Sequence, residues 1–142
     1  MASRITTLAG LALLALGPAI CQAQLADLAI RVVEAGTAEG AVEVSLFNSA
    51  DTFMREPFLQ TSGRVAGDGT FVAYFAAVPA GRYAAVAVHD ENNNGKLDTG
   101  LFGLGGEGYG FSNNASPMFG WPDFEDAAFT VEGPTGIEIE LD

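Results

Sequence analysis

Asp90, Asn92 and Asn94 set side-chain oxygens at alternate positions, and Gly95 follows the third of them. A chain that wraps a hard cation presents alternate residues inward, and Ca²⁺ takes six to eight oxygens at about 2.3–2.6 Å. With Asp90 as the first position of such a loop, Gly95 supplies the sharp turn, the Lys96 carbonyl is the next donor and Asp98 follows it. The expected site is one Ca²⁺ held by Asp90, Asn92, Asn94, the Lys96 carbonyl and Asp98. Two features depart from the helix–loop–helix form of this motif. No amphipathic helix flanks the loop, and Leu101 stands where a bidentate glutamate closes the site. The missing carboxylate must come from Glu107, Asp123, Glu125 or Asp126; if water takes its place, affinity falls to about 10⁻⁴–10⁻³ M. Mg²⁺ demands a stricter octahedron. Zinc is poorly served by a chain with one His and one Cys. The same stretch also reads as a polar turn that binds nothing, because Asn-Gly clusters close turns without an ion.

His89, the only histidine, adjoins this loop. As a general base beside a metal it would make the protein a hydrolase; as a strand-end residue it would only hydrogen-bond a neighbouring loop. Ser112, in Gly110-Phe111-Ser112-Asn113-Asn114, is no nucleophile elbow. Tyr109, Phe111, Phe119 and Trp121 cluster in sequence and are expected to fold back over the core, with a sugar or peptide platform as the alternative. Asn114-Ala115-Ser116 fits a glycosylation acceptor, a pattern too common to carry weight.

The elements that position these residues begin after the N-terminus. Arg4 and the apolar run from Leu8 to Ile20, followed by Cys21-Gln22-Ala23, read as a secretory signal cleaved after Ala23, leaving a domain over residues 24–142. Ile20 is too bulky for a lipoprotein cut before Cys21. Removal of the signal removes the only cysteine, so the exported domain would have no disulfide and a metal is the obvious substitute. Arg4 leaves as well, so five cationic residues then face 18 Asp and Glu, for a net charge of −13 with His89 neutral. Such acidity disfavours nucleic acid and anionic lipid as partners. No later stretch is long and apolar enough to insert in a membrane.

A period of two marks strands at 26–34, 41–48, 58–65, 70–77, 82–89, 125–131 and 136–141, separated by turns such as Gly67-Asp68-Gly69 and Pro79-Ala80-Gly81. Glu125 and Asp126 then face opposite ways and form no acid/base pair. From Asp90 to Phe124 no strand or helix is predicted, and eight of the 18 glycines lie between Gly95 and Gly120. The expected fold is all-β: a single antiparallel β-sandwich of about seven strands with one long glycine-rich loop.

The run Val78-Pro79-Ala80-Gly81-Arg82-Tyr83, the loop His89 to Asp98, the stretch Glu107 to Ala115 and the stretch Phe124 to Phe129 resemble a bacterial family of exported proteins labelled domain of unknown function 2141. The resemblance implies an exported β-sandwich and carries no activity or catalytic residue. The strand–Pro-x-Gly-x-Tyr–strand segment is more loosely similar to transthyretin-like accessory modules, a likeness of fold that transfers no function. The expectation is a non-enzymatic, calcium-stabilised module, periplasmic or extracellular, meeting an envelope protein or glycan. The alternatives are a metal-assisted hydrolase using His89 and a structural domain without metal.

Overall fold

The computed structural model describes residues 23–95, 106–116 and 120–142. The leader expected over residues 1–23 lies outside these except for Ala23. Among the described residues eight strands form: β1 (Leu25–Val33), β2 (Ala41–Phe47), β3 (Leu59–Gly63), β4 (Phe71–Pro79), β5 (Gly81–Asp90), β6 (Tyr109–Phe111), β7 (Phe129–Val131) and β8 (Thr135–Glu140). They make two sheets, one of three strands in the order β4-β1-β8 and one of five in the order β3-β2-β5-β6, with β7 paired to the start of β5. Five of the six strand pairings among the described residues are antiparallel; β1 and β8 run parallel, Leu28 opposite Thr135 through Val33 opposite Glu140. The expectation of about seven strands, all antiparallel, is corrected on both counts. Alternation locates a strand and its buried face but says nothing about the direction of its neighbour.

One hydrophobic cluster draws on both sheets. Leu28, Ile30 and Val32 of β1 and Ile139 of β8 meet Val42, Val44 and Leu46 of β2, all fully buried. Each such side chain contributes about 1.5–3 kcal/mol relative to exposure. A second cluster lies on the opposite face of the five-stranded sheet, where Phe47, Ala84, Val86 and Phe111 pack under Phe124 and Ala127. β5 divides its residues between the two: Tyr83, Ala85 and Ala87 face the first, Ala84 and Val86 the second. That is why Ala84-Ala85-Val86-Ala87-Val88 is a continuous apolar run, as strands buried on both faces are.

Two expectations after Asp90 are corrected. The segment from Asp90 to Phe124 contains β6 and a 3₁₀ turn at Ser112–Asn114. β6 is three residues long and glycine-centred, too short for alternation to register. Gly110 is required there, since a Cβ would stand 2.1 Å from the Glu140 carbonyl oxygen. The strand expected at Glu125 is replaced by a helical turn, α1 (Phe124–Ala127), before the chain extends into β7. Phe124 and Ala127 are three apart and both buried, a helical spacing, and the Asp123 N–H donates to Asp126 Oδ2 at 3.2 Å at its start.

Candidate metal-binding loop

Asp90 is the last residue of β5, held in register opposite Ala41 of β2. Beyond it the chain turns back on the Asp90 carboxylate. Oδ1 accepts from the Asn94 N–H at 3.0 Å, and Oδ2 accepts from the Gly95 N–H at 2.7 Å. The Asn94 N–H also donates to Asn92 Oδ1 at 2.9 Å. The turn needs left-handed backbone at Asn93 (φ 56°) and Gly95 (φ 71°), conformations that Asn and Gly tolerate best. Two of the expected ligand oxygens, on Asp90 and Asn92, therefore point inward onto one amide. Asn94 supplies that amide, with its residue exposed at the loop tip. Lys96 and Asp98 lie outside the described residues.

The floor of the loop comes from a close approach. Gly40, at φ +75°, lets the connection from β1 to β2 lie against the Asp90 carbonyl; a Cβ there would stand 2.1 Å from that oxygen. Glu43, Val88, Asp90 and Asn93 line a groove of about 350 Å³ beside the loop, and Glu39, Arg64 and Glu91 line an adjoining one of about 520 Å³. The grooves carry four carboxylates and one guanidinium, a strongly negative setting for the loop.

The four carboxylates considered for completing the site divide clearly. Glu125 forms an ion pair with Arg82 at 2.8 Å, at the beginning of β5. Arg82 and Asp90 are separated by most of that strand, about 26 Å at 3.3 Å per residue, so Glu125 is at the wrong end. Asp123 and Asp126 are engaged with each other at the head of α1. Glu107 is buried at the same end of β5 as Asp90: its neighbour Gly108 accepts the His89 N–H at 2.8 Å. Among the described residues no three His, Cys, Asp or Glu side chains gather as a metal-holding group. The expected donor set relies instead on Asn side chains and a main-chain carbonyl, with Asp90 its one described carboxylate.

His89 is 1% exposed and faces the inter-sheet cluster, the face taken by Tyr83, Ala85 and Ala87, while Asp90 follows on the other side of β5. Its Nε2 shares a hydrogen bond with the Glu39 carbonyl at 2.7 Å, and Nδ1 lies 3.7 Å from Glu91 Oε1. A ring shut away from solvent in this manner is a strand-end fastener to the Glu39 loop.

Residues 30–138 match the family described as "Uncharacterized protein conserved in bacteria (DUF2141)". The chain belongs to this family. No curated protein and no solved structure matches it. The resemblance carried by the sequence motifs is thus shown at the level of the family, whose description names no activity. In this family member the motif residues have visible structural duties. Pro79 accepts the Tyr83 hydroxyl on its carbonyl at 2.7 Å, closing the β4–β5 turn, and burial pushes the Tyr83 hydroxyl above its ordinary range. Ser112, which the sequence places in no nucleophile elbow, is fully buried; its Oγ accepts the Ala85 N–H at 2.9 Å and bonds the Ala127 carbonyl. It ties β5 to α1, a role no local pattern announces. Tyr109, Phe111 and Trp121 do fold together, edge to face, with centroids 5.2–5.9 Å apart, over the second cluster. Phe119 lies outside the described residues.

Proposed function

We propose that this chain is an exported, non-enzymatic module of the bacterial envelope in which one Ca²⁺ stabilises the loop after β5. The two sheets are read as the layers of a β-sandwich, because one cluster takes residues from both. The observation that carries the proposal is the inward turn of the Asp90 and Asn92 oxygens onto the Asn94 amide. Each carboxylate or amide oxygen has a second lone pair, so donation from the main chain orients it without exhausting it. Asp90, Asn92, Asn94, the Lys96 carbonyl and Asp98 would hold the ion, with Glu107 the carboxylate best situated to complete the shell. The ion would offset the repulsion among the groove carboxylates and hold the following segment against the sheet, giving a rigid surface for an envelope protein or glycan. Acidity argues against nucleic acid as the partner. The hydrolase reading gains no support, since His89 is buried and its Nε2 is engaged with the Glu39 carbonyl.

The test is a thermal melt in EDTA and in millimolar Ca²⁺, repeated on Asp90→Ala. A stabilisation by Ca²⁺ that Asp90→Ala abolishes supports the reading. Superimposable curves for the unaltered protein leave a hydrogen-bonded turn without metal.

A further inference from the structure

We propose that Asn94–Gly95 is a self-modification site, held in check while the loop is closed, at which the Gly95 nitrogen attacks the Asn94 side-chain carbonyl and the asparagine is lost. Asn94 is the only asparagine in the chain that precedes a glycine. Every other one is followed by a residue whose Cβ hinders the approach of the next nitrogen to the side chain. Glycine has no Cβ and the widest backbone freedom, so here the nitrogen can reach Asn94 Cγ. The reaction needs no co-reactant but water. Solvent base takes the Gly95 amide proton, the nitrogen bonds to Cγ, the Cγ–Nδ2 bond breaks and ammonia leaves. The product is a cyclic imide. Water opens it at Cγ to give aspartate, or at the main-chain carbonyl to give isoaspartate, whose backbone runs through Cβ and Cγ. Solvent has access to the pair. Asn94 is exposed, and among the described residues no atom beyond the chain neighbours lies within 4 Å of a Cβ built on Gly95.

The fold restrains this reaction through the Asp90 carboxylate. The Gly95 N–H, whose proton must leave, donates to Asp90 Oδ2 at 2.7 Å. The negative charge there opposes the amide anion that attack requires. The Asn94 N–H is held on Asp90 Oδ1 at 3.0 Å and on Asn92 Oδ1 at 2.9 Å, so the peptide groups on both sides of Asn94 are fixed. Asp90 is itself fixed by the β2–β5 ladder, opposite Ala41. It is therefore a positioning residue. Intact, it keeps residue 94 an asparagine; when the loop opens, the pair is released. Either product adds a negative charge beside Asp90, and isoaspartate also lengthens the main chain within the turn. The change is an irreversible mark of loop opening. The inference stands on the Asp90 hydrogen bonds and requires no bound ion.

The experiment is incubation of the purified protein in mildly alkaline buffer, folded and in urea, followed by peptide mapping for aspartate and isoaspartate at position 94. EDTA is present throughout, which keeps the outcome separate from the Ca²⁺ reading. Asp90→Ala, Asp90→Asn and Glu43→Gln are compared, each shown by thermal melt to be folded under these conditions. In urea, Asn94 should be lost ahead of every other asparagine; in the folded protein it should persist. Asp90→Ala should speed the folded-state loss by roughly tenfold or more, the factor that an N–H bond to a charged group is worth. Asp90→Asn, which keeps an acceptor and drops the charge, should fall between and serves if Asp90→Ala does not fold. The rates at Asn113 and Asn114 should not change, which separates release of this loop from general unfolding. Glu43→Gln removes a groove charge but no bond to Gly95, and should match the unaltered protein. An Asn94 that reacts no faster in urea than the other asparagines overturns the proposal. So does a folded protein that reacts as fast as the chain in urea, or Asp90 variants that react no faster than the unaltered protein.

Discussion

Tyr74 donates its hydroxyl hydrogen to Asp27 Oδ2 at 2.6 Å, closing a contact between residues 47 apart in sequence. Asp27 stands at the irregularity in the β1–β4 register, where its Oδ1 also accepts the Ala77 N–H at 3.2 Å. Ala77 is at φ 55°, a left-handed conformation costly for a residue with a Cβ. The carboxylate thus secures a bulge that would otherwise expose an unpaired amide.

The bond has a pH signature. Tyr74, and secondarily the Ala77 amide, hold the Asp27 carboxyl below its ordinary 3.8, and Asp27 raises the Tyr74 hydroxyl above its ordinary 10.0. A depressed carboxyl stabilises the fold above its unfolded value and loses that contribution as pH falls through the folded one. A raised phenol stabilises below its unfolded value and loses it as pH rises through the folded one. The melting difference between the unaltered protein and Tyr74→Phe should be largest between the two ordinary values and should shrink on both sides. Melts across pH check this; a difference independent of pH would disconnect the bond from the ionisations.

Ser112→Ala should destabilise by about 1–3 kcal/mol in urea unfolding, because the Ala85 amide and the Ala127 carbonyl lose a buried partner. Ser112→Gly should do no better, since it restores neither bond. A cost within a few tenths of a kcal/mol would mean that α1 is held by packing alone.

Gly40→Ala should cost about 1–3 kcal/mol. The added Cβ meets the Asp90 carbonyl at 2.1 Å, and the backbone there is left-handed. Because the clash falls at the root of the loop, the variant should also blunt any response to Ca²⁺. Gly67→Ala, with nothing near the new methyl, should be nearly silent by comparison.

Much of this architecture is legible in the chain. The period of two in Val42-Glu43-Val44-Ser45-Leu46 and in Ile137-Glu138-Ile139 marks a strand wherever one face is buried and the other wet. It fails where burial follows a different geometry. β6 is too short to show a period, and α1 buries Phe124 and Ala127 at helical spacing inside what resembles a strand. The direction of β8 relative to β1 depends on tertiary packing. At the site, the positions of Asp90, Asn92 and Gly95 follow from the spacing itself. Ser112 and Gly40 do not, because their partners at Ala127, Ala85 and Asp90 are brought to them only by the fold.

The most direct measurement is a calorimetric titration of the purified protein with Ca²⁺, alongside Asp90→Ala. The account predicts one ion per chain, with a dissociation constant of about 10⁻⁴–10⁻³ M if water completes the shell and tighter if Glu107 does. At a free concentration a hundredfold above that constant, the ion should add about 2.7 kcal/mol of stability. Asp90→Ala should show no saturable heat. A flat titration of the unaltered protein, or an undiminished one in Asp90→Ala, would contradict the account.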